Sequence, residues 1–364
     1  MINTALIGGI YGKERSFRSN LHMTPETNLE RELRNRGIGV ETFSHYSRID
    51  TNVFDIVHVH HLSFGAVRMC SDRSRTAFVY TSHDGALMMG RDTRLRRRWA
   101  SRLVMSRADA VIALCQQEAA FQRQSYNLTG AVHAVIPNGI DGENYTYVPR
   151  RPIINERGYW TLLYVGQLIE LKRVDVLLHA LARLPQNLTL DLAYTNPALE
   201  TPLQQLASRL GLVLRANFLG SKPPNVLAEL YQRSHILVLP SAAESLPSVV
   251  TEAMLCGTPV VATDVGGIRE QLGGYGVLVP PGDACALARA ISYVFEHYQE
   301  FASKGRAMSE YARKRFSIEK MVNQHLELYH ELIARKGPRR RDSALLASLN
   351  ATMRVGVDLL CTLK

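Results

Sequence analysis

Cysteine is scarce in this chain, with five in 364 residues. Cys70, Cys115, Cys256, Cys285 and Cys361 lie far apart, and no Cys-x-x-Cys pair occurs. That spacing argues against a disulfide framework and against a cysteine zinc site. Long hydrophobic runs are missing too: none approaches the ~18 apolar residues needed to cross a bilayer. The opening Met1-Ile-Asn-Thr-Ala-Leu-Ile-Gly-Gly has no basic stretch and meets glycine too early for a signal peptide. Hydrophobic residues at 46% and charged residues at 21% exclude a disordered or fibrous chain. The expectation is a reduced, cytoplasmic protein of two domains.

Positive charge is what the chain has in excess, 43 Lys and Arg against 33 Asp and Glu, a net +10. The excess sits in two places. Residues 90–107 hold Arg91, Arg94, Arg96, Arg97, Arg98, Arg102 and Arg107 against Asp92 alone. Residues 335–364 hold Arg335, Lys336, Arg339, Arg340, Arg341, Arg354 and Lys364 against Asp342 and Asp358. The remainder is near neutral. Such patches suit an anionic partner, or are solvated surface. No recognised nucleic-acid module accompanies them, so no nucleic-acid partner is expected.

Short β-branched runs alternate with helical patterns along the whole chain. Thr4–Ile7, Gly39–Phe43, Ile56–His60, Ala77–Thr81, Ala110–Ala113 and Ala131–Ile136 read as strands. Pro25–Arg36, Arg94–Met105 and Gln116–Ser125 read as helices, the first with Thr24 as N-cap and Gly37 as its stop. The second half repeats the plan, with strands at Leu162–Val165, Leu188–Ala193, Leu212–Phe218, Ile236–Leu239, Pro259–Ala262 and Gly276–Val279. Its helices are Val174–Leu184, Pro202–Leu210, Pro224–Arg233, Val249–Cys256 and Ala284–His297. Alternation of this kind builds parallel sheets covered on both faces. Because it occurs twice, the pattern predicts two doubly wound α/β domains, joined near Pro149-Arg-Arg-Pro152. Ligands of such sheets bind outside the carboxyl ends of the strands.

The segment from Leu237 to Thr263 carries the most chemistry. A strand ends at Pro240, Glu244 follows on a loop, and Glu252 lies within a helix. Free N–H groups near Leu246–Val249 then point towards the strand ends, where an anion or a hydroxyl-rich ligand can use them. Ionised carboxylates only accept hydrogen bonds, so a spaced pair suits hydroxyls. Two carboxylates complementing the helix dipole are the other reading of the same spacing.

With its surroundings, this segment resembles the E-x7-E signature of the retaining GT-B glycosyltransferases of family 4. Three further segments match in order: Val135-Ile-Pro-Asn-Gly-Ile-Asp141, Leu162–Leu178 with Gly166 and Lys172, and Asp264-Val-Gly-Gly-Ile-Arg-Glu270. The likeness is close in the C-terminal half and loose in the N-terminal half. It implies the GT-B architecture, two Rossmann-like domains facing a central cleft. The domains are then 1–150 on the acceptor side, 151–315 for the donor nucleotide, a crossover helix at 316–336, and a basic tail at 337–364.

The resemblance also implies roles. Glu252 is expected to hold the donor ribose, and Glu244 the hydroxyls of the transferred sugar. The backbone of Ser245, Leu246, Pro247, Ser248 and Val249 lies nearby. Lys172 neutralises the donor diphosphate, where leaving-group charge develops. The family usually has an Arg directly after the glycine, and Gln167 stands there. Arg173 or another cation then substitutes, or catalysis is weaker. Gly8 and Gly9 open a glycine loop whose bare backbone approaches the donor; its spacing is not that of a P-loop. Arg15 and Arg18 are within reach of the same place. His58, His60 and His61 end one strand, and His83 ends the next, where the family often keeps a histidine close to the reacting sugar. His83 is read as a binding or orienting residue. No ligand-type spacing links these histidines, so no metal and no other cofactor is expected. Asp-x-Asp is absent, unlike in GT-A enzymes with their metal-held diphosphate.

Beyond the crossover helix, Leu345, Leu346, Leu349, Met353, Val357, Leu360 and Leu363 fall on one helical arc. This tail is expected to dock on an anionic membrane surface, or else to pack on its own domain or on a partner. The expected activity is retaining transfer from a nucleotide-sugar donor to a glycan, glycolipid or lipid-linked acceptor in cell-envelope or polysaccharide biosynthesis. The enzyme would be cytoplasmic, with a peripheral place on the inner membrane face. The alternatives are a nucleotide-sugar epimerase of related fold, or a nucleotide-sugar-binding scaffold of weak activity.

Overall fold

The computed structural model describes residues 2–13, 24–45, 47, 49–63, 66–67, 76–88, 90, 92–149 and 160–336. The chain divides into two compact units, one of Met1–Gly139 and Ile318–Lys364, the other of Ile140–Ser317. Each is built on a six-stranded parallel sheet.

The first unit contains β1 (Asn3–Ile7), α1 (Pro25–Asn35), β2 (Gly39–Phe43), β3 (Ile56–His60), β4 (Ala77–Thr81), α2 (Gly85–Met88), α3 (Leu95–Arg107), β5 (Ala110–Ala113), α4 (Gln116–Ser125) and β6 (Val132–Val135). The sheet order is β2-β1-β3-β4-β5-β6. All residues of β3 and β4 are buried, as central parallel strands require. Helix α1 begins as the sequence predicts: the Thr27 N–H donates to Thr24 Oγ1 at 3.4 Å, with Pro25 in the first turn. Gly37, at φ +74°, turns the chain back to β2 in a left-handed conformation that side chains disfavour. Leu29 and Leu33 bury the inner face of α1 against Leu6 and Ile56. The last helix among the described residues, α13 (Ile318–Lys336), adds Met321, Val322, Leu328, Tyr329 and Leu332 to that same cluster. At about 1.5–3 kcal/mol per buried large apolar side chain, this helix is integral to the first unit.

The second unit contains β7 (Trp160–Gly166), α5 (Val174–Leu181), β8 (Leu188–Tyr194), α6 (Glu200–Arg209), β9 (Ala216–Gly220), α7 (Pro224–Arg233), β10 (Ile236–Leu239), α8 (Ser248–Leu255), β11 (Val260–Thr263), α9 (Ile268–Leu272), β12 (Val277–Val279), α10 (Ala284–Glu296), α11 (Tyr298–Ser303) and α12 (Gly305–Arg315). Its sheet order is β12-β11-β10-β7-β8-β9. Ile140–Pro149 belongs here as well: the Tyr145 ring packs on Tyr231 at 5.9 Å between centroids, and the Ile140 N–H donates to the Phe316 carbonyl at 2.9 Å. The change of unit therefore precedes the Pro/Arg segment, most of which lies outside the described residues.

Helices α2, α9, α11 and α12 were not expected from the sequence, and two of the expected elements are clearly shorter than predicted. The apolar run 212–218 starts not as strand but as a turn, with Val213 65% and Leu214 91% exposed. Gly211, at φ +70°, ends α6, and the strand begins only at Ala216. Arg215 anchors this turn by donating to the carbonyls of Leu184, Pro185 and Leu188. Helix α5 stops at Leu181 rather than Leu184, because Leu184 precedes Pro185 and that position resists helical geometry. The tail 337–364, with its predicted amphipathic helix, lies outside the described residues. Among those residues, no helix is long and apolar enough to cross a membrane.

Candidate active site

In the second unit the chemistry gathers after β7 and β10, two adjacent strands. Beyond Gly166 the Tyr164 hydroxyl donates to the Gln167 carbonyl at 2.7 Å. A short 3-10 turn, Glu170–Lys172, presents the Lys172 side chain. The Ala242 N–H donates to the Leu171 carbonyl at 2.8 Å, which ties this turn to the loop after β10.

Across that tie Lys172 Nζ meets Glu244 Oε1 at 2.6 Å. Ser241 Oγ donates to the same oxygen, also at 2.6 Å. The Ser241 carbonyl in turn accepts from Thr263 Oγ1. Glu244 is buried, so the lysine and the serine together offset its loss of water. The backbone beside it is packed equally closely. A Cβ on Gly266 would stand 1.9 Å from the Glu244 carbonyl oxygen, and the Gly267 N–H donates to the Ser245 carbonyl at 2.7 Å.

Ser245, Leu246 and Pro247 are buried, and Ser248 and Val249 half-buried, at the start of α8. Pro247 occupies the N-cap position and no side chain caps this end. The helix therefore presents its first amide groups and the positive end of its dipole there. Inside α8, Glu252 Oε2 accepts from the Tyr231 hydroxyl at 2.7 Å. Burial pushes the Glu252 carboxyl up to about 7, against the lowering effect of that hydrogen bond.

Of the proposed donor residues, the structure brings Lys172 and Glu244 into contact and sets Ser245–Val249 and Glu252 along the same loop and helix. Gln167 is exposed. Arg173 sits at φ 48° as the N-cap of α5, and its partly exposed guanidinium binds Asp175 at 2.9 Å, as Lys172 binds Glu244.

In the first unit, Gly8 has extended backbone and donates to the Phe43 carbonyl at 3.1 Å. A Cβ there would lie 3.3 Å from the Tyr11 ring, and one on Gly9 3.3 Å from His45 Nε2. Close approach, not a left-handed φ, is what glycine permits here. Arg15 and Arg18 lie outside the described residues.

His58 and His60 are buried and His83 half-buried, and their rings form a stack. His58 exchanges hydrogen bonds of 2.8 Å with the Tyr329 and Thr81 hydroxyls, so both its nitrogens are used. Its ring lies 4.2 Å from that of His60, and the His60 and His83 rings are stacked at 5.5 Å. His60 Nδ1 and His83 Nε2 are 3.3 Å apart. Burial pushes the His83 imidazole down to about 4, although the Glu26 carboxylate opposes this; it drives His58 and His60 well below the usual range as well. His325 of α13 is lowered to about 4 by the same cause. His61, at φ 66°, places Nε2 2.8 Å from Glu26 Oε1.

Sequence reasoning missed Tyr231, Ser241 and Glu26. Ser241 stands three residues before Glu244 and was legible as part of the Pro-Ser loop. Tyr231 and Glu26 come from remote helices and carry no local signal.

The comparisons with known proteins agree with this arrangement. Residues 150–315 match the glycosyl transferases group 1 family, and residues 12–144 match Glycosyltransferase Family 4. The D-inositol 3-phosphate glycosyltransferase of Corynebacterium urealyticum is 31% identical over 322 residues, covering 80% of this chain and 75% of that protein. Among solved structures, sucrose-phosphate synthase from Thermosynechococcus elongatus superposes with a TM-score of 0.78 at 21% identity, over 92% of this chain and all (100%) of that one. Anabaena HepE, solved in complex with UDP and glucose, gives 0.73 at 22% identity, over 91% of this chain and 100% of that one. The fold is that of the GT-B glycosyltransferases. The chain belongs to the group 1, family 4 glycosyltransferases.

Proposed function

We propose that the chain moves a sugar, with retention of configuration, from a nucleotide-sugar donor to a glycan, glycolipid or lipid-linked acceptor in cell-envelope or polysaccharide biosynthesis. The observation that carries this reading is the Lys172–Glu244 pair beside the uncapped start of α8. Lys172 and the first amides of α8 meet the donor diphosphate and the charge that grows on it as the glycosidic bond breaks. Glu244 accepts hydrogen bonds from the sugar hydroxyls, and Glu252 from the ribose. Gln167 donates a neutral hydrogen bond where the family usually places a cation. His83 orients the sugar or the acceptor. The diphosphate charge is met by these groups and not by a metal.

No carboxylate nucleophile is identified for a double displacement, so the transfer is read as front-face substitution. The acceptor oxygen bonds to the anomeric carbon as the bond to the diphosphate oxygen breaks, and the leaving phosphate takes the acceptor proton. HepE, with UDP and glucose bound, supports a nucleotide-sugar donor, and the inositol phosphate relative supports a polyol or sugar acceptor. NMR of the product anomer tests the mechanism: the anomer opposite to the donor's would sink it. Slow donor hydrolysis, lost in Glu244→Ala and Lys172→Ala, separates a transferase from a scaffold that binds without turnover. Membership of a transferase family weighs against the epimerase.

Helix α3 supports an approach to an anionic membrane surface. Arg97 is bound by Asp84 and Asp92, but Arg96, Arg98 and Arg102 are exposed beside Leu95, 77% exposed, and Trp99, 64% exposed. Arginines flanking an exposed tryptophan suit a headgroup region. Trp99→Ala should lower co-sedimentation with phosphatidylglycerol vesicles; unchanged partitioning rejects this part.

A further inference from the structure

We propose that Glu26, His60 and His83 form a binding site for a single divalent transition-metal ion of the zinc class. One ligand atom from each of these three lies within 4.8 Å of the other two. They arrive from three elements at the carboxyl side of the first sheet: the first turn of α1, the end of β3 and the loop after β4. Two imidazoles and one carboxylate are a common donor set for zinc, leaving a fourth position open. The expectation of no metal rested on spacing along the chain, and the carboxylate that completes the set is far upstream of the histidines.

The stack has nitrogens to spare. His60 Nε2 and His83 Nδ1 are buried and have no hydrogen-bond partner among the described residues. His60 is only 2% exposed. Those two nitrogens lie on the far edges of the rings; the nitrogens that face each other, His60 Nδ1 and His83 Nε2 at 3.3 Å, are the pair offered to a cation beside the Glu26 carboxylate. Glu26 is buried too, and its ion-pair contact among the described residues is His61, which carries charge only when protonated. A bound cation supplies a permanent opposite charge. With metal–nitrogen bonds of about 2.0–2.1 Å, tetrahedral donors stand roughly 3.3 Å apart. The widest pair therefore closes by up to about 1.5 Å, within reach of side-chain rotation.

His58 has no part in this site, since both its nitrogens are already bonded to hydroxyls. His61 orients the carboxylate from outside. The site shares His83 with the transfer reading, so Glu26→Gln, outside that reading, is the variant that tests the metal alone.

The test uses the full chain stripped with EDTA and titrated with Co²⁺ under visible absorption, followed by competition with Zn²⁺. The expected result is one equivalent bound with a tetrahedral-type band that zinc abolishes. Glu26→Gln and His83→Gln should each weaken Co²⁺ binding at least tenfold, while His297→Ala changes nothing. Folding of the variants is followed by circular dichroism. X-ray absorption of the unaltered chain with one equivalent of Zn²⁺ keeps the test independent of them, and should show two imidazole shells. A shell of water oxygens alone, or Co²⁺ affinity unchanged in both variants, overturns the proposal. Because every readout is of metal, failure here leaves the transfer mechanism untouched, and loss of transfer in Lys172→Ala leaves this site untouched.

Discussion

Both units bury carboxylates at the carboxyl ends of a parallel sheet, and they give them opposite company. In the second unit Glu244 faces a fixed cation, Lys172, while Glu252 faces a phenol and is pushed up to about 7. In the first unit Glu26 faces imidazoles that burial holds low, His83 at about 4. Burial is common to all three acids; the partner decides what each can do. The two units are therefore set against each other in acid. His58, His60, His83 and His325 disfavour protonation when folded. Their contribution is complete above the ordinary histidine value of 6.5 and is lost as pH falls towards about 4. The groups facing them are Glu26 and His61, of which the carboxylate pulls the other way. Glu252 favours its neutral form when folded. Its contribution is complete below 4.5 and fades as pH rises through about 7.

The largest effect that sharpens this contrast is differential melting. In metal-free protein, as pH falls from 6.5 to 4.5, amide protection relative to the intrinsic exchange rate should fall in the first unit and rise in the second. His83 alone is worth about 3 kcal/mol across its full shift. Parallel slopes in the two units would break the comparison. Next is Lys172→Ala, which leaves Glu244 buried without its cation. We expect donor turnover to fall by about 10²–10³-fold, the cost of one preorganised charge-stabilising contact, with partial recovery in Lys172→Arg. A fall under threefold would place the diphosphate elsewhere. Glu252→Gln should abolish the stability decline between pH 4.5 and about 7 in the second unit, a change of up to about 3 kcal/mol in urea unfolding. Smallest is Thr24→Ala. The cap bond at the start of the helix bearing Glu26 is long, 3.4 Å, so a loss of about 0.5–1 kcal/mol is expected by the same unfolding.

What was legible in the sequence was local. The Glu244 loop, Glu252 in its helix and Lys172 after β7 were readable because strand ends, turns and helix starts are written within a few residues. The strands of both sheets emerged from β-branched runs for the same reason. Where a run was ambiguous, geometry intervened: Val213 and Leu214 look like strand, yet the left-handed Gly211 makes them a turn. The Arg173–Asp175 ion pair was not read from the sequence, because an acid at that place is equally at home in a helix first turn. Glu26 and Tyr231 escaped altogether. Each is an ordinary helical residue by pattern, and only tertiary packing brings it to its partner, Glu26 to the histidines and Tyr231 to Glu252.

Gly266 has a practical consequence for anyone reshaping this protein. Its φ of +56° and its missing Cβ let the turn after β11 press on the carbonyl of Glu244. Any side chain there would lever the glutamate off the lysine. The loop at 241–245 and the turn at 266–267 are thus a single interchangeable part. A transplant of new specificity that swaps one without the other should yield a folded sheet with a misaligned acid, whereas the pair moved together keeps its fit.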